Sequence, residues 1–495
     1  MPSTINKGTL LSQVDSIIAS LNLSTDETQR LALFYKSAIN AGSNTVYANS
    51  NVAVEIVSRL ENTTSTDSKE LLMLATGSSV ILDDRMVTVA NTTVLNALAN
   101  ISAGTIYFVE SDGYPYIRKS DNTWTPLSKA RKVYNAWSWG YNNLGQLGDG
   151  TTVSKSSPVS MIGGFTDWVN VASGYRHSAG VRANGTAWCW GDGTNGRLGN
   201  NTTTNSSSPV SVVGGFTDWI FVSAGSRHSI GLRSNGTLWG WGIGGTTGDN
   251  TSSNRSSPVS VVGGFTDWIS VSSCIAFNIA LRANGTAWAW GNNDQGQLGD
   301  GTTTGVNSPV SVLGGFTDWV FVDAGGRDFP ASAASHALGI RANGLLYAWG
   351  NNTSGKLGDG TTSNRSSPVS VIGGFTDWIS AIGGGYHSVA LRANGTLWAW
   401  GRNSEGQLGD NTTSSRSSPV SVVGGYTDWV SVSAGNKHVI GLRANGTLWS
   451  WGNGSLGQLG TNNITNQTSP VSVVGGFTDW TYVSLGQYNS FGLRA

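Results

Sequence analysis

Apolar and polar residues alternate in short runs through most of this chain, and the runs return in a fixed order. Residues 428–434 read DWVSVSA, with Val430 and Val432 on one face. Residues 438–443 read HVIGLR, a second short run. Asn445-Gly446 follows, and both residue types tolerate the positive φ that tight hairpin turns need. Residues 447–451 read TLWSW, which puts Trp449 and Trp451 on the same side of a strand at period two. A glycine-rich loop, 452–460, then leads to Ser-Pro-Val, where proline suits an edge or strand-entry position. The pattern predicts three or four short strands per unit.

The unit recurs seven times. Ser-Pro-Val places its proline at Pro158, Pro209, Pro258, Pro309, Pro368, Pro419 and Pro470. Seven copies of Trp-x-Trp-Gly end at Gly140, Gly191, Gly242, Gly291, Gly350, Gly401 and Gly452, the fifth with Tyr347 for its first Trp. A unit this small cannot bury its faces alone, and radial stacking of seven makes a β-propeller. The tryptophans are expected to form layers between neighbouring blades, where large rings bury much area. The phase of the repeat predicts how the ring closes. The chain stops at SFGLRA, 490–495, halfway through a unit, and the missing strand is the one the first repeat opens with, Trp137-Ser138-Trp139-Gly140. Pairing these half-blades removes two open sheet edges.

The expected fold is therefore an all-β seven-bladed propeller over 133–495, with a smaller, mainly helical α+β region before it. Residues 1–100 read as a helical docking or oligomerisation region, with helix candidates at 10–21, 25–41 (behind a Ser24-x-x-Glu27 capping box), 51–60, 68–75 and 94–99. Residues 101–132 read as a small β-hairpin module, with strands at 105–109 and 116–119 around Glu110-Ser111-Asp112-Gly113, and Trp124 packed on it.

The repeat resembles that of the regulator-of-chromosome-condensation family, whose signature is roughly G-x-x-H-S-x-A-L-x-x-x-G-x-x-x-x-W-G-x-N-x-x-G-Q-L-G. Residues 384–409 read GGYHSVALRANGTLWAWGRNSEGQLG. The resemblance covers about 360 residues and implies the propeller fold; function does not follow from a fold that hosts many roles. The family includes an exchange factor for the small GTPase Ran, a plant ultraviolet-B photoreceptor, bacterial inhibitors, and bacterial and phage proteins. The photoreceptor's Gly-Trp-Arg-His-Thr motif is met here by Gly174-Tyr175-Arg176-His177-Ser178 and Gly225-Ser226-Arg227-His228-Ser229, both without the Trp.

Composition narrows function further. Lys plus Arg equals Asp plus Glu, 29 each, with no basic run, whereas nucleic-acid binding normally needs a basic surplus. Charged residues are only 12%, so Ser, Thr, Asn and Gly must solvate the surface. The start lacks a basic segment followed by an apolar one, and no run of about 18 apolar residues occurs, so neither a signal peptide nor membrane insertion is expected. Cys189 and Cys274 stand at different repeat positions and read as packed thiols.

No cofactor, metal or catalytic constellation is expected. His177, His228, His336, His387 and His438 share one repeat position, held by Phe277 and Asn489 in the other units, and read as hydrogen-bonders within each blade. The Gly-Asp-Gly-Thr-Thr loops at Asp149, Asp300 and Asp359 offer one carboxylate each, while calcium takes six to eight oxygens, so they read as turns. The fourth repeat is longer by eight, with the extra residues around 327–335, RDFPASAAS. Arg327, Asp328, Phe329 and Pro330 are thus the candidate partner-contact loop.

These features, with a likeness of GTIYFVESDGYPYIRKSDNTW to small β-modules of tailed-phage structural proteins, lead to three expectations. The first is a non-enzymatic bacteriophage virion protein (fibre, tail accessory or head decoration), docked to other virion proteins through its N-terminal region. Its propeller would face a host-surface protein or glycan, and the chain could self-associate. The second is a bacterial surface or secreted adhesion module, located outside the cell. The third is an intracellular scaffold or small-GTPase regulator.

Overall fold

The computed structural model describes residues 134–326 and 335–494, and the backbone of four strands before them. The chain divides into two compact units, Met1–Val133 and Tyr134–Ala495. In the first, Val87–Val89, Ile106–Val109, Tyr114–Arg118 and Trp124–Pro126 form one sheet in that order. The hairpin around Glu110–Gly113 is present, with Ile106 opposite Ile117 and Val109 opposite Tyr114. It is wider than expected, because 87–89 joins it in parallel and 124–126 antiparallel. The helix candidates at 10–21, 25–41, 51–60, 68–75 and 94–99 lie outside the described residues.

The second unit is seven four-stranded sheets arranged as blades. Blade 1 runs from the axis outward as strand a (Trp168–Ser173), b (His177–Arg182), c (Ala187–Gly191) and d (Ser206–Ser211), each antiparallel to the next. Strand d is the Ser-Pro-Val segment itself. Its register slips between Ser206 and Val210, so Pro209, which has no N–H to offer, falls within an irregularity on an outer edge. The b–c turn differs from the expected type. Only Gly185 has positive φ, +76°; Asn184 instead accepts hydrogen bonds through Oδ1 from the Thr186 N–H (3.1 Å) and hydroxyl (2.7 Å). The asparagine is there for its side chain and the glycine for its backbone.

Blades 2 to 6 repeat this plan from Trp219 to Ser472. Blade 7 is built from both ends of the unit. Its a and b strands are Trp480–Leu485 and Asn489–Arg494; its c and d strands are Asn135–Gly140 and Lys155–Ser160. Six consecutive pairs, Asn489 opposite Gly140 through Arg494 opposite Asn135, join the halves.

The core lies between blades. Seven buried apolar clusters are found among the described residues, and each spans two neighbouring blades. At the 6–7 junction, Trp139 meets Ile440, Leu442, Leu448 and Val473 of blade 6 and Trp480 and Val483 of blade 7. Its indole N–H donates to the Gln458 carbonyl across the junction at 3.0 Å. Five of its six counterparts donate in the same way, as Trp190 does to Gln146. Removing such a ring costs about 3–5 kcal/mol. Around the axis, hydroxyls of one a strand accept N–H groups of the next: Ser223 from Ser273, Ser272 from Ala324, Ser433 from Leu485, Ser484 from Ser173.

Because every junction is a core, an open ring would expose two core faces. Deleting residues 133–140 is expected to lower Tm and split the single calorimetric transition; an unchanged melting profile would contradict closure.

Candidate functional site

The strand pairing gives each blade two distinct ends. Strand b begins where c finishes (His177 opposite Gly191) and d begins there too (Ser206 opposite Gly191). All a–b and c–d loops therefore emerge at one end of the ring, and the b–c turns and d–a connections at the other.

The turn end is the same in every blade. Arg182 pairs with Asp167 at 2.8 Å and lies 4.0 Å over the Phe165 ring. Six equivalent Arg–Asp pairs follow around the ring, at 2.8 to 2.9 Å. Their charges cancel.

The loop end is framed alike but furnished differently. Seven backbone hydrogen bonds link consecutive a–b loops: Tyr175 N to Gly225 O, Ser226 N to Cys274 O, Ile275 N to Gly326 O, Gly326 N to Gly384 O, Gly385 N to Gly435 O, Asn436 N to Gln487 O, and Gln487 N to Gly174 O. This circle needs small residues beneath it, since a Cβ on Gly174 would collide with the Gly225 carbonyl. The next positions diverge freely: Tyr175-Arg176, Ser226-Arg227, Ile275-Ala276, Gly385-Tyr386, Asn436-Lys437, Gln487-Tyr488. In the a–b and c–d loops, Arg176, Arg197, Arg227, Lys356, Arg402 and Lys437 stand with Asp149, Asp192, Asp249, Asp294, Asp300, Asp359, Glu405 and Asp410: six positive and eight negative among the described residues. Aligning the seven repeats and asking which columns vary would have exposed the divergence of this end.

A recess at this end lies where blades 6, 7 and 1 meet, a cavity of about 410 Å³. Tyr141, Tyr175, Arg176, Lys437, Leu456 and Tyr488 line it. Tyr141 and Tyr488 meet edge to face, centroids 6.2 Å apart at 83°. The Arg176 guanidinium sits 4.7 Å over Tyr175 and donates to its hydroxyl at 3.0 Å. Lys437 donates to Glu405 at 3.0 Å. Burial pushes the Glu405 carboxyl up, but bonds from Ser404 and Lys437 and the charges of Lys437 and Arg402 outweigh it and hold the group below its ordinary range.

The histidines are hydrogen-bonders, but between blades and not within them. His177 Nε2 meets Ser229 Oγ of the next blade at 2.8 Å, His228 meets Asn278 at 2.7 Å, His336 meets Ser388 at 2.9 Å and His438 meets Ser490 at 3.2 Å. The correspondence extends to one exception: where the histidine is Phe277, the following partner position is Ala337. His387 breaks the rule, because Val439 stands where serine is needed and neither ring nitrogen has a hydrogen-bond partner. Burial, with the Lys356 charge nearby, drives its pKa down to about 3 despite the opposing pull of Glu405; burial and Arg197 bring His228 to about 4 against its bond to Asn278.

Lys356 is fully buried, 5.3 Å from the Tyr386 ring centroid, and burial pulls its ammonium down to about 7. Four blades carry Gln at this position (Gln146, Gln297, Gln407, Gln458), each Oε1 accepting an N–H within its own loop. Both cysteines are buried thiols.

The Asp loops are held as turns. Asp149 Oδ1 accepts from Asn142 Nδ2 and from the Thr151 N–H and hydroxyl, and Asp300 and Asp359 repeat the set. No group of three or more metal-ligating side chains occurs among the described residues. Arg327, Asp328, Phe329 and Pro330 lie outside the described residues; the flanks of their insertion, Gly326 and Ser335, are both at the loop end.

A closed seven-bladed ring with one repetitive end and one diverse end defines the class of protein. The chain belongs to the RCC1-like domain family, whose model matches residues 135–492. The Arabidopsis thaliana ultraviolet-B receptor UVR8 is 27% identical over 366 residues, 72% of this chain and 70% of the receptor. The Danio rerio protein RCC2 homolog is 36% identical over 131 residues, 26% of each chain. Human HERC3, a probable E3 ubiquitin-protein ligase, is 34% identical over 143 residues, and the match spans only 14% of it. Among solved structures, yeast Prp20p superposes with TM-score 0.64 at 20% identity, over 73% of this chain and 92% of that one, and human WBSCR16 with TM-score 0.63 at 20% identity, over 73% and 99%. These relatives come from a plant, an animal, yeast and human, which overturns the virion location and the bacterial cell-surface alternative expected from the sequence. The virion role, which rested on composition and on a short likeness within 104–124, finds no support in these comparisons.

Two outcomes follow. Because His228 and His387 are neutral when folded and titrate near 6.5 when unfolded, the unfolded chain binds more protons below that value. The part of the stability that these histidines control, measured by urea unfolding, is expected to be complete above pH 6.5 and to fall steadily between pH 6.5 and about 3–4. Replacing Lys356 by Gln is expected to stabilise the fold by roughly 1–3 kcal/mol at pH 7. That gain should shrink as pH rises toward 10.5, where the unfolded lysine also loses its proton; a pH-independent gain would contradict a Lys356 ammonium lowered by burial.

Proposed function

We propose that this chain is a non-enzymatic interaction propeller, a scaffold or small-GTPase regulator, that receives a protein partner at its loop end. One observation carries the reading: seven repeats that agree at the turn end diverge at the loop end, in the residues best placed to contact another molecule. Structural demands alone favour repetition, so divergence confined to one face argues for contacts made there. The fold is shared with Prp20p, a protein described for binding Gsp1p and histones; here that parallel supports a protein partner of the same general kind. Light sensing is not proposed, because Tyr175 stands where the photoreceptor motif has Trp.

The test is site-specific photocrosslinking in the cells the protein comes from, with the photoreactive residue at exposed Asn143 or Arg176 on the loop end, or at exposed Ser234 or Ala444 on the turn end. Crosslinked partners are expected from the loop end and not from the turn end. Equal capture from both ends, or capture from the turn end alone, would contradict the reading.

A further inference from the structure

The recess between blades 6, 7 and 1 exists only in the closed ring. Tyr141 follows strand c of blade 7, from the start of the propeller, and Tyr488 precedes strand b of the same blade, from its end. The Tyr141 N–H donates to the Tyr488 carbonyl at 2.9 Å, so the two rings are brought together by the closing pairs. The site is also unlike its six counterparts. The position of Tyr141 is Asp192, Ile243, Asn292, Asn351, Arg402 or Asn453 elsewhere, and three tyrosines and two cations converge here.

Its chemistry narrows the ligand. A volume of about 410 Å³ sits toward the small end of the ~300–1,000 Å³ range of ligand pockets and admits side chains of a peptide but not a domain. Lys437 is engaged by Glu405, which leaves Arg176, exposed and bonded only to the neutral Tyr175 in the contacts above, as the cation open to a newcomer. One open guanidinium suits a single carboxylate, which it can receive through two parallel N–H bonds. Tyr141 and Tyr488 stand edge to face and Arg176 covers one face of Tyr175, so no parallel pair of rings is open to sandwich a base. Leu456 and the tyrosine edges offer apolar surface beside the charge.

We propose that this recess is a docking pocket for a protein segment carrying one Asp or Glu beside an aliphatic residue, its carboxylate received by Arg176, and that binding and ring closure reinforce one another. The proposal rests on the loop-end reading above and names the class of ligand that end takes. A ligand that touches both halves of blade 7 binds only the closed ring and so stabilises it by mass action.

The experiment uses the full chain and fluorescein-labelled peptides of sequence Gly-Ser-Leu-Glu-Leu-Ser-Gly, with Gln or phosphoserine in place of Glu as comparisons, read by fluorescence anisotropy. The Glu peptide is expected to bind saturably, at least tenfold more tightly than the Gln peptide, and to raise Tm. Arg176→Gln is expected to abolish that preference with an unchanged circular-dichroism spectrum, and Arg416→Gln, on the outer strand of blade 5, to preserve it. Equal binding of Glu and Gln peptides, tighter binding of the phosphopeptide, or an Arg176→Gln variant that retains the preference would each overturn the proposal. If loop-end crosslinking persists while the peptide preference is absent, the pocket is refuted and the loop-end reading stands. If loop-end crosslinking itself fails, the broader reading falls first.

Discussion

Six residue pairs, Asn489–Arg494 against Asn135–Gly140, hold together everything else in the propeller. Each blade is a four-stranded sheet whose apolar faces are buried only by its neighbours, so no blade has a core of its own. A linear stack of such units would leave one exposed face at each end, whereas the circle leaves none. The indole N–H bonds across the junctions, the histidine bonds to the next blade and the backbone circle at the loop end all point the same way. Each satisfies a buried polar group with a neighbour's atom, and each is lost if the circle opens.

That frame explains where variation is tolerated. The Arg–Asp–Phe clusters of the turn end recur because each fixes the connection into its own strand a. At the loop end, backbone atoms close the circle and side chains are released from structural duty. Two departures from the repeat are buried and costly: Lys356 in place of Gln, and Val439 where His387 needs a hydroxyl. Lys356 lies in blade 4, whose sequence also carries the insertion at 327–334, and His387 and Val439 lie in blades 5 and 6.

Much of the fold was legible in the chain because it is written seven times. The spacing of Ser-Pro-Val and Trp-x-Trp-Gly set the number of blades, and the half-units at the two boundaries set the closure. What the repeat could not reveal were relations between one unit and the next. His177 read as a residue of its own blade, yet its partner Ser229 is 52 residues away in another. Asn184 read as a positive-φ residue, yet Gly185 alone has that conformation. The recess at blades 6, 7 and 1 was hidden for the same reason, since Tyr141 and Tyr488 lie at opposite ends of the propeller sequence and meet only after closure. The biological setting was misjudged because a surface rich in Ser, Thr, Asn and Gly says how a protein is solvated and not where it resides.

Amide hydrogen exchange in blade 7 tests the closure most directly. If the two half-blades are zipped into one sheet, the amides of Asn489–Arg494 should exchange as slowly as those of His177–Arg182 in blade 1, through the same global opening. Rapid exchange confined to 489–494 and 135–140, with the other six blades protected, would contradict it.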